Sequence, residues 1–245
     1  MKQRQPRTLR SAVLLQAAVA LLICTVNGLT ACPQPFPKVC AEFFKSDAVF
    51  VGTVLEEHSV VVDDFIEELR YVIRVENTFR GDERKTVTVS TENASARFLL
   101  EPGQRYLLFA KLYENRLWIH SCGNSGLTSE TNDVVEQIKQ ILRAPGEGEI
   151  SGRVLMGSGK GYLEVPATGA RVVVRGSQGL LATVTDKAGE FRIKVPAGEY
   201  SIQLLSQDFE IDPYDLSYDD PARPIVIASG ACAQFQYLAT PVTSK

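Results

Sequence analysis

The chain has 245 residues, 44% of them hydrophobic and 22% charged, and a formal net charge of −3. That balance fits an ordinary globular protein, and a weakly acidic chain with no basic stripe offers nothing to a nucleic-acid partner.

The first ten residues carry Lys2, Arg4, Arg7 and Arg10 and no acid, and an apolar run follows from Ala12 to Val26, broken only by Gln16 and Thr25. A run of about 15 residues falls short of the roughly 18 to 20 that a permanent span needs, so residues 1–31 are expected to be an export signal. No later segment is apolar enough to span, so a membrane tether would have to sit at the front. Removing 31 of 245 residues leaves 214, enough for two domains of about 100 residues each. Four positive charges leave with the signal, which takes the formal charge from −3 to −7.

Five cysteines occur: Cys24, Cys32, Cys40, Cys122 and Cys232. Cys24 lies inside the signal, and the other four enter an oxidising compartment where pairing is the default and three connectivities are open. The stretch GLTACPQPFPKVC, residues 28–40, has three readings. Leu29-Thr30-Ala31-Cys32 fits a lipobox, so Cys32 could carry a lipid and tether the protein to a membrane. Cleavage after Ala31 would instead make Cys32 an N-terminal, zinc-chelating residue. The third reading makes Cys32 half of a disulfide, and parity favours it, because a thioether on Cys32 would leave three thiols.

From Asp47 the pattern turns to β. DAVFVGTVLEE alternates Ala48, Phe50, Gly52 and Val54 against Val49, Val51 and Thr53, and ELRYVIRVENTFRG alternates around Tyr71, Ile73 and Val75. KTVTVS, RYLLFAKLY and RLWIHSC complete five expected strands between residues 47 and 122, with turns at Arg80-Gly81-Asp82, Pro102-Gly103 and Glu114-Asn115. Val134, Val135, Ile138, Ile141 and Leu142 then recur at helical spacing behind capping residues at Thr128-Ser129 and Thr131-Asn132. Five antiparallel strands and a helix suit a small closed barrel of OB type. Residues 144–148, APGEG, break the helix and read as a linker. Beyond them EISGRVLM, ARVVVRG, LLATVTD, GEFRIKV, GEYSIQLLS, RPIVIA and CAQFQYLATP give seven strands at roughly ten-residue spacing, a β-sandwich. The expected fold is therefore all-β: residues 32–143 a five-stranded OB-type barrel with a C-terminal helix, residues 149–245 a seven-stranded sandwich.

Within TDKAGEFRIKVPAGEY, Asp186 can bond the amides of a turn that Gly189 closes with a positive φ, and Phe191 then points inward with Ile193 and Val195. Pro196 and Gly198 repeat the device one strand later. These are structural turns, and no catalytic residue is implied. The acidic run QDFEIDPYDLSYDD lacks EF-hand order and glycine and reads as a solvated loop. Glu56-Glu57, Asp63-Asp64 and Glu67-Glu68 read as an exposed hairpin. His58 and His120, the two histidines, stand apart from one another in sequence. GSGKG at 157–161 is too short for a phosphate loop. Asn93-Ala94-Ser95 is a glycosylation sequon only where the source glycosylates by that route. No catalytic cluster, metal site or cofactor motif is expected, which argues against an enzyme.

ISGRV, ATGARVVV, TDKAGEF and PAGEY, in that order between Glu149 and about Leu205, resemble the carboxypeptidase regulatory-like domain, a transthyretin-like sandwich that accompanies peptidases without being one. Members of the wider superfamily support folding, adhesion or carbohydrate contact. Cys32, Cys40, SDAVFVGTV, PGQRYLLFAKL, Cys122-Gly123 and the helix near Thr131 resemble the netrin-like module of tissue inhibitors of metalloproteinases. Where related exported bacterial proteins carry two further cysteines, this chain has Thr30 and Ala94 or Ser95. The resemblance implies that Cys32 pairs with Cys122, and with those two placed Cys40 meets Cys232 across the two domains. It also implies an alternative, inhibition of a metalloproteinase through the amine and carbonyl of an N-terminal Cys32, although the matching cysteine of the inhibitors falls at Thr30. The expectation is an exported, non-enzymatic binding or adhesion module of the envelope or extracellular space, whose ligand is an unidentified protein or carbohydrate.

Overall fold

A computed structural model describes residues 32, 36–63, 66–92, 97–143, 146–157, 164–206, 209–211 and 224–241. The expected signal peptide, the sequon at 93–95 and most of GSGKG and of the acidic run lie outside the described residues. The protein is mainly β. Residues 36–245 form one compact unit, and no described helix is long and apolar enough to cross a membrane.

A short helix opens that unit, α1 (Val39–Lys45), followed by β1 (Ala48–Asp63), β2 (Ile66–Arg80), β3 (Thr86–Glu92), β4 (Arg105–Tyr113), β5 (Arg116–Trp118), β6 (Gly126–Leu127) and α2 (Asn132–Arg143). The strands pair in the order β1-β2-β3-β5-β4, and β4 pairs back onto β1, so five strands close into a ring. The β3–β5 contact is parallel, Val89 to Leu117 and Ser90 to Trp118, while the other neighbours of the ring run antiparallel. Closure needs strong coiling, and β1 supplies it at Gly52, where a Cβ would stand 2.6 Å from Ile73 Cγ2 and 2.7 Å from the Arg74 carbonyl oxygen.

Both faces are buried at Val49–Gly52 of β1 and at Tyr106–Ala110 of β4, which explains why RYLLFA reads as one apolar run. Phe50, Val54, Tyr106, Leu108 and Ala110 fill the barrel interior with Leu69, Tyr71, Ile73 and Val89. Val49, Val51, Leu107 and Phe109 face outward, where Val39 and Phe43 of α1 and Ile138 of α2 cover them. The sequence reading missed α1 and the two-residue β6.

The sandwich begins at β7 (Gly148–Gly157) and continues through β8 (Glu164–Pro166), β9 (Arg171–Gly176), β10 (Gly179–Val184), β11 (Glu190–Val195), β12 (Gly198–Leu205), β13 (Phe209–Ile211), β14 (Ile225–Ile227) and β15 (Cys232–Pro241). One sheet runs β10-β9-β12-β14, the other β11-β7-β15-β13 with β8 on the edge of β7. A shared core of Ile150, Val154, Val172, Val174, Phe191, Ile202, Phe235 and Tyr237 lies between them. Nine strands are described where seven were expected: β8 and β13 have three residues each, too few to show a period, and β13 takes Glu210 out of the supposed acidic loop. The last strand, β15, runs parallel to β7 from Cys232 beside Glu149 to Ala239 beside Met156.

The expected linker is shorter than its composition suggested. Gly148 already belongs to β7, packed so closely on Ile227 that a Cβ there would collide with its Cγ2, and the Gly146 carbonyl accepts the Gly230 amide at 2.9 Å.

Candidate functional site: the junction groove

The seven residues of α1 are the wedge between the two β parts. Val39 and Phe43 join the barrel-side core, while Phe44 packs against both that core and the sandwich core. The Arg80 guanidinium lies over Phe43 and Phe44, 5.8 and 5.6 Å from the ring centres, and its Nε donates to the Ser46 carbonyl at 2.6 Å. On the other side the Lys45 ammonium lies 5.6 Å from the centre of the Phe235 ring on β15. Ser46 ends the helix, its amide and hydroxyl both donating to the Glu42 carbonyl.

A disulfide joins Cys40 of α1 to Cys232 at the start of β15, with the Cα atoms 5.7 Å apart across 192 residues of sequence. Beside it the Lys38 ammonium donates to Glu149 Oε1 at 2.8 Å and to Ser151 Oγ at 2.9 Å, both on β7. The Lys38 amide donates to Gln234 Oε1 at 2.6 Å, and Gln234 Nε2 donates to the Phe36 carbonyl at 3.3 Å. Glu149 also faces Arg192 at 3.3 Å. Cys32 and Cys122 are likewise disulfide-bonded, and a lipid thioether on Cys32 would require that sulfur back.

The barrel side is held by Glu42. Its Oε2 accepts the Asn124 amide at 2.7 Å and Asn124 Nδ2 at 2.5 Å, and the same Nδ2 reaches the Pro37 carbonyl at 3.0 Å. Burial raises the Glu42 pKa above the ordinary glutamate value, against the opposing pull of the Asn124 donors and of Lys111. Gly123 leaves room for Glu42 here: a Cβ would overlap Glu42 Oε1, and the glutamate would have to shift.

Together these contacts leave a groove of about 440 Å³ lined by Lys38, Cys40, Asn124, Gln137, Glu147, Glu149 and Cys232, together with Pro37, Val39, Gly230 and Ala231. Lys38, Asn124 and Glu149 are committed to holding the junction. Gln137 and Glu147 are exposed, and their side chains make no hydrogen bond or ion pair among the described residues.

The turn residues do what their types allow. Asp186 Oδ1 accepts the amides of Ala188 at 2.8 Å and Glu190 at 2.9 Å, while Gly189 has φ 73° and would clash with the Val154 carbonyl if it carried a Cβ. Phe191, Ile193 and Val195 are buried. Pro196 and Gly198 close differently from the first turn: Gly198 is not in the left-handed region, and the Tyr200 hydroxyl donates to the Pro196 carbonyl at 2.8 Å. Both turns lie on sandwich strands and neither lines the groove.

Glu68 corrects the exposed-hairpin reading. Its side chain is 3% exposed; Oε1 accepts Arg70 Nε at 2.9 Å and Ser90 Oγ at 2.5 Å, and Oε2 accepts Arg116 Nη1 at 2.6 Å. Burial alone would raise its pKa, but Arg70, Ser90 and Arg116 together outweigh that and lower it. Arg116 in turn lies 5.3 Å from the Trp118 ring centre. His58 is exposed and pairs with Glu56 at 3.0 Å, His120 is exposed on its own loop, and no group of three His, Cys, Asp or Glu is placed to hold a metal among the described residues.

No family model matches the chain, and no curated protein does either. Among solved structures it is similar to the Bacillus anthracis TIE protein, at 12% identity and a TM-score of 0.29 over 80% of this chain and 31% of that one. GBS52, the minor pilin of Streptococcus agalactiae, is similar at 10% identity and a TM-score of 0.32 over 82% and 85% of the two chains. BcpA, the major pilin subunit of Bacillus cereus, in its D312A form, is similar at 13% identity and a TM-score of 0.28 over 81% and 61%. The chain spans less than two thirds of the TIE protein and of BcpA.

Proposed function

We propose that this is an exported, non-enzymatic binding or adhesion module of the cell envelope or extracellular space, which takes a protein or carbohydrate partner in the groove between its two β parts. One observation carries the reading. A 440 Å³ groove is walled by elements that a disulfide and half-buried polar contacts lock together, yet the side chains of Gln137 and Glu147 on its wall are left with unused hydrogen-bonding groups. Preorganised walls lower the ordering cost of binding, and a few free polar groups then set orientation.

Within this proposal the front part is a netrin-like barrel and the rear part a carboxypeptidase regulatory-like sandwich. The closed β1-β2-β3-β5-β4 ring and the close approach of Gly123 to Glu42 support the first. The Asp186–Gly189 turn between β10 and β11 supports the second. Disulfide use of Cys32, Cys40, Cys122 and Cys232 supports an exported location.

The test is to probe glycan and peptide arrays with the oxidised mature protein, then retest any ligand against Gln137→Ala/Glu147→Ala. The proposal expects a ligand whose affinity falls about tenfold or more in the double variant, a loss of roughly 1.4 kcal/mol. A ligand bound equally well by the double variant would place the site elsewhere.

A further inference from the structure

We propose that β10 is a docking edge on which an extended acidic segment of a partner protein adds as a further strand, its carboxylates meeting Arg171 and Arg175 of β9. A strand at the edge of a sheet leaves a row of backbone amides and carbonyls unpaired, and edges that must stay single are kept short, charged or broken by proline. The other edges of the sandwich follow that rule. β8, β13 and β14 have three residues each, and β8 ends in Pro166. β11 is longer, but it sets Glu190, Arg192 and Lys194 toward solvent.

β10 has none of these devices. Its sequence is GLLATV, six residues without a charge or a proline, and its register on β9 runs unbroken from Gly179 beside Gly176 to Val184 beside Arg171. Among the described residues β9 is its one neighbour in the sheet. Its side chains are uncovered as well: Leu180 is 59% exposed, Leu181 41% and Val184 60%, so apolar surface is open on both faces. A strand added along this edge would satisfy the free backbone groups and cover all three side chains.

The neighbouring strand sets the chemistry of the partner. Val172 and Val174 of β9 belong to the shared core, so Arg171, Val173 and Arg175 lie on the outer face, and the register puts Val184, Ala182 and Leu180 beside them on that face. Both arginines are exposed, and their side chains make no hydrogen bond or ion pair among the described residues. A new strand beside β10 would run two strand spacings, about 10 Å, from β9. The long arginine stem and a glutamate side chain close that gap between them. Acidic residues on the outer face of the added strand then meet the two guanidiniums, while apolar residues on its inner face cover Leu181. A second copy of β10 fits less well, because it would align the arginine pairs of both copies on one face and neither β9 nor β10 holds an acidic residue. The edge is separate from the junction groove, whose lining includes no residue of β9 or β10.

The test uses the mature chain, purified without reductant, and a fluorescent synthetic peptide that alternates Glu and Val and is long enough to run the length of β10. A Lys/Val peptide of the same length is the control. Fluorescence anisotropy is expected to show the Glu/Val peptide binding about tenfold or more tightly than the control, and Arg171→Glu/Arg175→Glu should invert that order. In the parent, amide hydrogen exchange at residues 179–184 should slow when the Glu/Val peptide is added. Equal affinity for the two peptides, no binding, or binding without slowed exchange at 179–184 would overturn the proposal. So would concentration-dependent dimerisation that protects 179–184 without peptide, which would make the occupant a second copy.

Discussion

The Glu42 carboxylate occupies the space that a side chain at residue 123 would need, so the helix wedge and the Cys-Gly turn of the barrel are fitted to each other at one atom pair. Gly123→Ala must push Glu42 away from Asn124 and with it loosen the Asn124 bond to the Pro37 carbonyl. The expected cost is about 1 to 3 kcal/mol, read as a lower midpoint in urea with an unchanged slope. A midpoint equal to that of the parent would mean that the two residues do not meet.

Glu42 also sets a pH dependence. Burial raises its folded pKa above the ordinary value of 4.5, so the native state holds that proton more tightly than the unfolded chain. Its contribution to stability is complete below about pH 4.5 and is lost as pH rises through the folded value. Glu42→Gln cannot lose a proton and keeps an oxygen for Asn124. The melting temperature of Glu42→Gln relative to the parent should therefore climb from pH 4 toward pH 7, and parallel curves would contradict it.

Glu68 has the opposite sign. Its pKa is lowered by Arg70, Ser90 and Arg116 despite its burial, so its contribution is present above the ordinary 4.5 and disappears as pH falls through the lowered folded value. Glu68→Gln leaves two guanidiniums without their shared anion. Because Arg70 and Arg116 are each about a third exposed, 34% and 33%, water screens part of that loss, and about 2 kcal/mol is expected at neutral pH. The gap between variant and parent should close in acid denaturation, and a gap that widens there would contradict the assignment.

Phe44 couples the two cores. Its truncation in Phe44→Ala is expected to cost about 3 kcal/mol. Calorimetry of the parent should show one transition, and the variant should split into two as the barrel and the sandwich lose their common packing. A single, merely lowered transition would show that the disulfide and the Lys38 contacts are enough by themselves to keep the parts cooperative.

Periodicity made most of the fold legible. The alternation in DAVFVGTV and the apolar run RYLLFA announced strands, and both stretches form the two-faced centre of the barrel. α1 was hidden because VCAEFFK is two turns long and places buried residues at 39, 41 and 43, a spacing of two that imitates a strand. The neighbouring Phe44 turns toward a core that begins only at Ile150, which no local pattern reports. Glu68 was misread for a related reason: EELR looks like solvated charge, and its burial depends on Ser90 and Arg116, 22 and 48 residues away. Cys40 and Cys232 were visible as cysteines, but their meeting depends on β15 returning beside β7, a parallel pairing that sequence spacing does not encode.

The central claim, that the barrel and the sandwich are one body locked at α1 around a preformed groove, is tested most directly by mapping the disulfides of the protein, purified without reductant, with non-reducing proteolysis and mass spectrometry. The account predicts a cross-linked peptide pair containing Cys40 and Cys232, with neither thiol free to alkylation. Recovery of Cys232 as a free thiol, or of Cys40 bonded to another cysteine, would contradict it.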